Sequence, residues 1–180
     1  MVTLLTQRIR YDHRYRWESG SEIKHFLTLQ NETAVPWTTG PCLALSGVQP
    51  LSEDVLKYTP VGSWGELQVT TAINVATQVS EIEKDRQLKA HEPRHNEFYD
   101  LVTVEGTLRL KSFEKNPVEV FVTAPISGRP IEASDDATMR IDASKLRLVE
   151  RSGSIQWTRS LPPGEEQTLR YVYERYVPSN

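Results

Sequence analysis

The stretch Phe98–Ala124, FYDLVTVEGTLRLKSFEKNPVEVFVTA, constrains the fold more than any other part of the chain. Val102, Val104, Leu108 and Leu110 fall on even positions, while Thr103, Glu105, Thr107, Arg109 and Lys111 fall on odd ones. A period of two places the first set on one dry face of a strand and the second on a wetter face. Gly106 sits on the dry face, where a missing side chain predicts a bulge, a bend or the close approach of a neighbouring sheet. Beyond the turn residues Glu114-Lys115-Asn116-Pro117, Val118, Val120, Val122 and Ala124 alternate with Glu119, Phe121 and Thr123. The two strands are expected to pair as a hairpin with one dry face.

The same period recurs along the chain. From Gln7 to Trp17, Ile9, Tyr11, His13, Tyr15 and Trp17 share one face, and Arg8, Arg10, Asp12, Arg14 and Arg16 share the other. A turn at Glu18-Ser19-Gly20-Ser21 leads to a second strand through Ile23, His25, Leu27 and Leu29, so a first antiparallel hairpin is expected. A short apolar strand follows from Cys42 to Leu45. Leu51–Tyr58 lacks a period of two and is expected to make one or two helical turns with Ser52 as N-cap, ending before Pro60. Leu67 to Val79 reads as one long strand, and Ser80–Lys89 as its continuation into a charged loop reaching Asn96. Weaker strands are expected around Met139–Ile141 and Leu146–Val149, with loops at Ser127-Gly128-Arg129-Pro130 and Ser134-Asp135-Asp136. Ile155 and Trp157, then Leu169, Tyr171, Tyr173 and Val177, close the chain as two more strands. Many alternating strands and no long amphipathic helix predict an all-β fold, an immunoglobulin-like β-sandwich of antiparallel strands with proline-rich loops.

A chain of 180 residues can bury roughly 70% of its unfolded surface, so residues 1–180 are expected to form a single domain that needs no disulfide or metal to hold its core. Cys42 is the only cysteine, which excludes an internal disulfide and leaves the redox compartment undetermined. The formal charge of -3 predicts no general attraction to nucleic acid or anionic lipid. No apolar run reaches the length of a membrane span, so no direct membrane insertion is expected.

Three segments carry a resemblance to a known family: the strand from Tyr99 to Lys111, NPVEVFVTAPISG at 116–128, and SIQWTRSLPPGEEQTLRYVYERYVP at 154–178. They resemble the C-terminal domain of mucoidy-inhibitor-like bacterial proteins, the domain of unknown function 4139 family. The likeness covers the second half of the chain closely and the first half loosely, with Ser112 standing where that family usually has asparagine. The resemblance implies a β fold and supplies no catalytic residue. It also implies the C-terminal part of a longer bacterial protein, soluble and associated with the cell envelope through that parent.

The sharpest chemical pattern is His91-Glu92-Pro93-Arg94-His95, which matches H-E-x-x-H. On a helix that spacing sets two imidazoles on one face with a glutamate to activate metal-bound water. Pro93 strains any such helix, and no third ligand lies at a recognisable spacing. A solvated loop is the plainer reading, and a metal-dependent hydrolase using His91, Glu92 and His95 is the alternative. The arginine face of the first strand points away from its aromatics, whereas a nucleic-acid stacking platform needs both on one surface, so nucleic acid is not an expected partner. Trp37, Tyr58 and Trp64 fall in loops and form the candidate binding surface, compatible with a glycan or with tryptophans capping a sandwich core. Ser134-Asp135-Asp136 lacks the repeated acidic spacing of a calcium loop. No phosphate loop and no nucleophile elbow is present.

The sequence therefore predicts a non-catalytic binding or structural module, without cofactor, catalytic residue or metal ligand. It is expected to contact a protein partner or an upstream domain of the same polypeptide, and the strands near Gln7 and Asn180 are expected at sheet edges. A carbohydrate-binding module is the other alternative.

Overall fold

Most of the period-two segments become antiparallel strands, although the first begins at Tyr11, not at Gln7. The computed structural model describes residues 6–142, 144 and 147–179, and its strands gather into two compact units. One holds the chain up to Arg16 together with Ile23–Ala72; the other holds Trp17–Glu22 and the chain from Ile73 onward.

In the first unit β1 (Tyr11–Glu18, whose last two residues belong to the second unit) and β2 (Lys24–Gln30) form the expected hairpin, in register from Tyr11↔Leu29 to Arg16↔Lys24. β3 (Gly40–Ser46) and β4 (Gln49–Leu56) make a second hairpin, and β5 (Trp64–Thr71) pairs with β2. Leu51–Leu56 is thus strand, not helix. The Ser52 hydroxyl donates to the Gln68 carbonyl (3.1 Å) instead of capping a helix, and Asp54 accepts the amides of Gln68 (2.9 Å) and Val55 (2.7 Å). Those two N–H groups hold the Asp54 carboxyl below its ordinary range.

The long strand expected from Leu67 to Val79 is two strands. The chain leaves β5 at Thr71, turns over Ile73, which is 88% exposed, and starts β6 (Val75–Arg94) beside a different neighbour. β6 continues as strand where a charged loop was expected.

The second unit holds β6, β7 (Glu97–Ser112), β8 (Val118–Ile126), β9 (Arg129–Ala133), β10 (Thr138–Ile141), β11 (Gly153–Leu161) and β12 (Glu166–Pro178). One sheet has the order β6-β7-β12-β9, and β8, β11 and β10 are neighbours in another. β7 and β8 are therefore not a hairpin: β7 pairs with β6 and β12, and β8 pairs with β11. Their dry faces look at each other across the core instead of lying side by side. Val102, Leu108 and Leu110 on one side, and Val120, Val122 and Ala124 on the other, are fully buried. Trp157 of β11 meets Tyr171 of β12 with ring centroids 6.2 Å apart, so this unit is a β-sandwich. Ser112 anchors the crossover. It is fully buried, its hydroxyl accepts the Glu114 amide (3.2 Å) and its carbonyl accepts that of Gly164 (2.8 Å).

Arg129 and Pro130 begin β9 instead of lying in a loop, and Leu148–Glu150 is a single 3-10 turn where a strand was expected; residue 146 of that expectation lies outside the described residues. The closing strand β12 is interior to its sheet, between β7 and β9, not at an edge. Among the described residues no helix is long and apolar enough to cross a membrane.

Candidate functional site

The β3–β4 hairpin turns its apolar side outward. Leu43 and Leu45 of β3, with Leu51 and Val55 of β4, alternate along the two strands and are 45–56% exposed, with Pro41 opposite Val55 and Glu53 opposite Leu43. The other side of the same hairpin carries Ala44, which is buried, and the polar groups of Ser52 and Asp54 that bind β5. Alternation alone leaves this inversion undecided. A period of two states that two faces differ, not which one the rest of the protein covers.

β6 supplies a second exposed surface. It is the edge strand of its sheet, and nearly all of its residues are open to solvent on both faces. Beyond its pairing with β7, it is tied down by Tyr171, two strands away. Gly106 of β7 pairs with Tyr171 on one side and Glu81 on the other, and the Tyr171 ring lies across the glycine, reaching over it so that its hydroxyl donates to Glu81 (2.7 Å). Tyr173 donates to the same carboxylate (3.2 Å). Burial, then the Glu81 hydrogen bond, pushes the Tyr171 phenol far above its ordinary value; burial and the Glu81 charge push that of Tyr173 up to about 12.

Toward its far end β6 carries register shifts at Glu83/Asp85, Gln87/His91 and His91/Arg94, with Lys89 in the left-handed region (φ 49°). Arg86 holds Glu83 through two contacts of 2.8 Å and reaches buried Asp100 (3.0 Å). Asp100 also accepts the Ser179 hydroxyl and the Lys89 amide, and these donors, with Arg86, hold its carboxyl below the ordinary range. Bulges and charge are devices that blunt an edge, so the regular stretch Val75–Glu83 is the part of β6 left open to a partner strand.

The HEPRH segment spans the end of β6 and the turn into β7, with His91 opposite Tyr99 and Arg94 opposite Glu97. It is extended, so its two histidines share no helical face. The His91 ring packs on Tyr176 (5.4 Å), whereas the His95 side chain is 92% exposed with its Nδ1 3.8 Å from Glu92. Among the described residues no three His, Cys, Asp or Glu side chains group as a metal site. His91 does line a cavity of about 480 Å³ with Arg94, Glu97, Tyr99 and Arg147. There the Tyr99 hydroxyl donates to Glu97 (2.8 Å), and that contact, aided by burial, raises the phenol.

Trp37, Tyr58 and Trp64 all belong to the first unit. Trp37, half-buried, exchanges both backbone hydrogen bonds with Thr59 (2.9 Å each); Tyr58 is 59% exposed, and Trp64 opens β5 at 47% exposure. Their loops converge on Asn31, fully buried, whose amide donates to the carbonyls of Val35 and Thr59 (3.0 Å each) while its oxygen accepts from Thr33. Among the described residues no ring contact joins the three aromatics.

Arg16 stacks on Phe26 (4.9 Å) and grips Glu66 (3.0 Å), which places it as a cover for the sheet. Asp135 engages Arg159 (2.9 Å), and the Ser134 carbonyl accepts the Trp157 indole N–H (2.9 Å), so this acidic turn is tied into the fold. The sequence reading missed one cluster, the rings of Tyr11, His13, His25 and Tyr15 on the first hairpin. The hairpin register contained the signal, because it sets His25 opposite Tyr15 and diagonal to His13. Comparison with protein-family models, with curated proteins and with solved structures returned no match.

Proposed function

We propose that this chain is a non-catalytic binding or structural module whose partner is another protein or another part of the same polypeptide. The reading rests on the outward apolar face of the β3–β4 hairpin, formed by Leu43, Leu45, Leu51 and Val55. Contiguous exposed apolar surface on a β-sheet is a general mark of a contact surface. Fully burying a Leu or Val side chain contributes about 1.5–3 kcal/mol, so four that are half-exposed hold on the order of 4 kcal/mol for a partner to collect. The open stretch of β6 supports the same reading, since an unpaired edge adds backbone hydrogen bonds to a docked strand. A place beside the bacterial cell envelope, as part of a longer chain, follows from the family resemblance and belongs to the same proposal.

The test compares wild type with a Leu43→Lys, Val55→Lys double variant. Both positions are exposed, so the melt should stay within about 2 °C of wild type. Sedimentation velocity from micromolar to near-millimolar concentration and cross-linking to co-expressed parent segments should both show association by the wild type and loss in the variant. A wild type that stays monomeric and cross-links to nothing would refute the proposal.

A further inference from the structure

The two histidines that the sequence pattern singles out do not converge, whereas two others do. His13 of β1 and His25 of β2 are diagonal neighbours on one face of the hairpin, and His13 Nδ1 stands 2.7 Å from His25 Nε2. We propose that this pair is a binding site for a divalent transition-metal ion of the Ni²⁺, Cu²⁺, Zn²⁺ type, held by the two imidazoles with water completing its shell.

At 2.7 Å the two nitrogens can only face each other across one shared proton, one ring donating and the other offering its lone pair. A metal ion in place of that proton accepts both lone pairs. Two imidazole nitrogens bound at 2.0–2.1 Å in tetragonal or tetrahedral geometry stand about 2.8–3.4 Å apart, so the nitrogens need to part by a few tenths of an ångström. The rings also need to swing by roughly 35–45° so that both lone pairs meet the ion beside the line between them. The scaffold already holds the two nitrogens near that spacing. Tyr15, 7% exposed, stacks on His25 at 4.6 Å with the planes 6° apart, and Tyr11 meets His13 edge-on at 5.6 Å. At His25 little rotamer entropy is left for binding to remove, and exposed His13 is the ring that can swing.

The chemistry also bounds the affinity and the order of preference. No third His, Cys, Asp or Glu joins the pair among the described residues, so the site lacks the four protein ligands of a structural zinc centre. Neutral nitrogen donors with open positions follow the order Ni²⁺ < Cu²⁺ > Zn²⁺. Because the ligands come from two strands, the bound ion ties β1 to β2.

The experiment titrates CuCl₂, NiCl₂ and ZnCl₂ into the full chain by calorimetry, alongside thermal melts and Cu²⁺ electron paramagnetic resonance. It uses wild type, His13→Ala, His25→Gln and a His91→Ala, His95→Ala double variant. Wild type should bind one Cu²⁺ with nitrogen hyperfine structure, Cu²⁺ should bind tightest, and the melt should rise with metal. Loss of either ligand should weaken Cu²⁺ at least about tenfold, while the double variant keeps wild-type affinity. His13 is exposed, so an unchanged metal-free melt will show that its variant folds. Saturable binding absent below about 1 mM, binding unchanged in His13→Ala, or binding lost in the His91, His95 variant would each overturn the site.

Discussion

Replacing Gly106 by alanine tests the arrangement that ties down β6. A Cβ at Gly106 would stand 2.1 Å from Tyr171 Cζ and 2.5 Å from both Cε atoms, well inside van der Waals contact. The ring has nowhere cheap to go, since Tyr171 is 1% exposed with Trp157 and Tyr173 both 6.2 Å away between centroids. Overpacking a core costs about 1–3 kcal/mol. Displacing the phenol from Glu81 forfeits a hydrogen bond to a charged group, about 1 kcal/mol where the carboxylate can return to water. The expected cost of Gly106→Ala is therefore about 3 kcal/mol, a fall of roughly 10 °C in Tm for a unit of this size. Tyr171→Phe alone should cost only about 1 kcal/mol. In a Tyr171→Val background the clash disappears, and alanine should then equal or outdo glycine by about 0.5–1 kcal/mol, because glycine is costly inside a strand. Urea unfolding of the four proteins gives the cycle. A Gly106→Ala protein within about 0.5 kcal/mol of wild type, or an equal cost in both backgrounds, would refute the reasoning.

Three further outcomes follow from the same contacts. Tyr171 and Tyr173 have folded pKa values above the unfolded value of about 10, so their contribution is complete below that pH and lost as pH rises toward about 12 and beyond. Ultraviolet titration should show both phenols ionising only with alkaline unfolding, and Glu81→Gln should move Tyr173 down. Asp100 behaves oppositely: its carboxyl is depressed, so its contribution is present above the ordinary carboxylate pKa and disappears as pH falls through the lower folded value. Asp100→Asn should lower stability at neutral pH and flatten the acid limb of a stability-pH curve, and an unchanged limb would count against the Ser179, Lys89 and Arg86 contacts as its cause. On a glycan array, a signal lost in Trp64→Ala and in Tyr58→Ala would establish the sugar-binding alternative, and a flat array for the wild type would remove it.

How much of this was legible in the sequence depended on which physical quantity was being read. Facing was legible. Alternation in 98–124 correctly marked Val102, Leu108, Val120 and Val122 as inward, because side-chain direction is a local property of extended backbone. The absence at Gly106 was also legible as a close approach, although the ring that fills it comes from a residue 65 positions later, Tyr171, which only pairing could identify. Leu51–Leu56 was misread because its strand state depends on Ser52 and Asp54 meeting the Gln68 backbone, a contact that carries no local periodicity.

By itself, then, the sequence determined that this protein is built of antiparallel strands and which side of most of them is dry. Tertiary structure alone decided the partners. Equal dry faces on β7 and β8 permit either a hairpin or two facing sheets, and burying both faces against each other selected the second. Strand pairing likewise left β6 at an edge, and within the first unit the contacts of Ser52 and Asp54 with β5 left the apolar side of β3–β4 outward while the hairpin register brought His13 to His25. Faces follow from torsions within a few residues, whereas strand order and side-chain convergence follow from long-range burial, which no local pattern encodes.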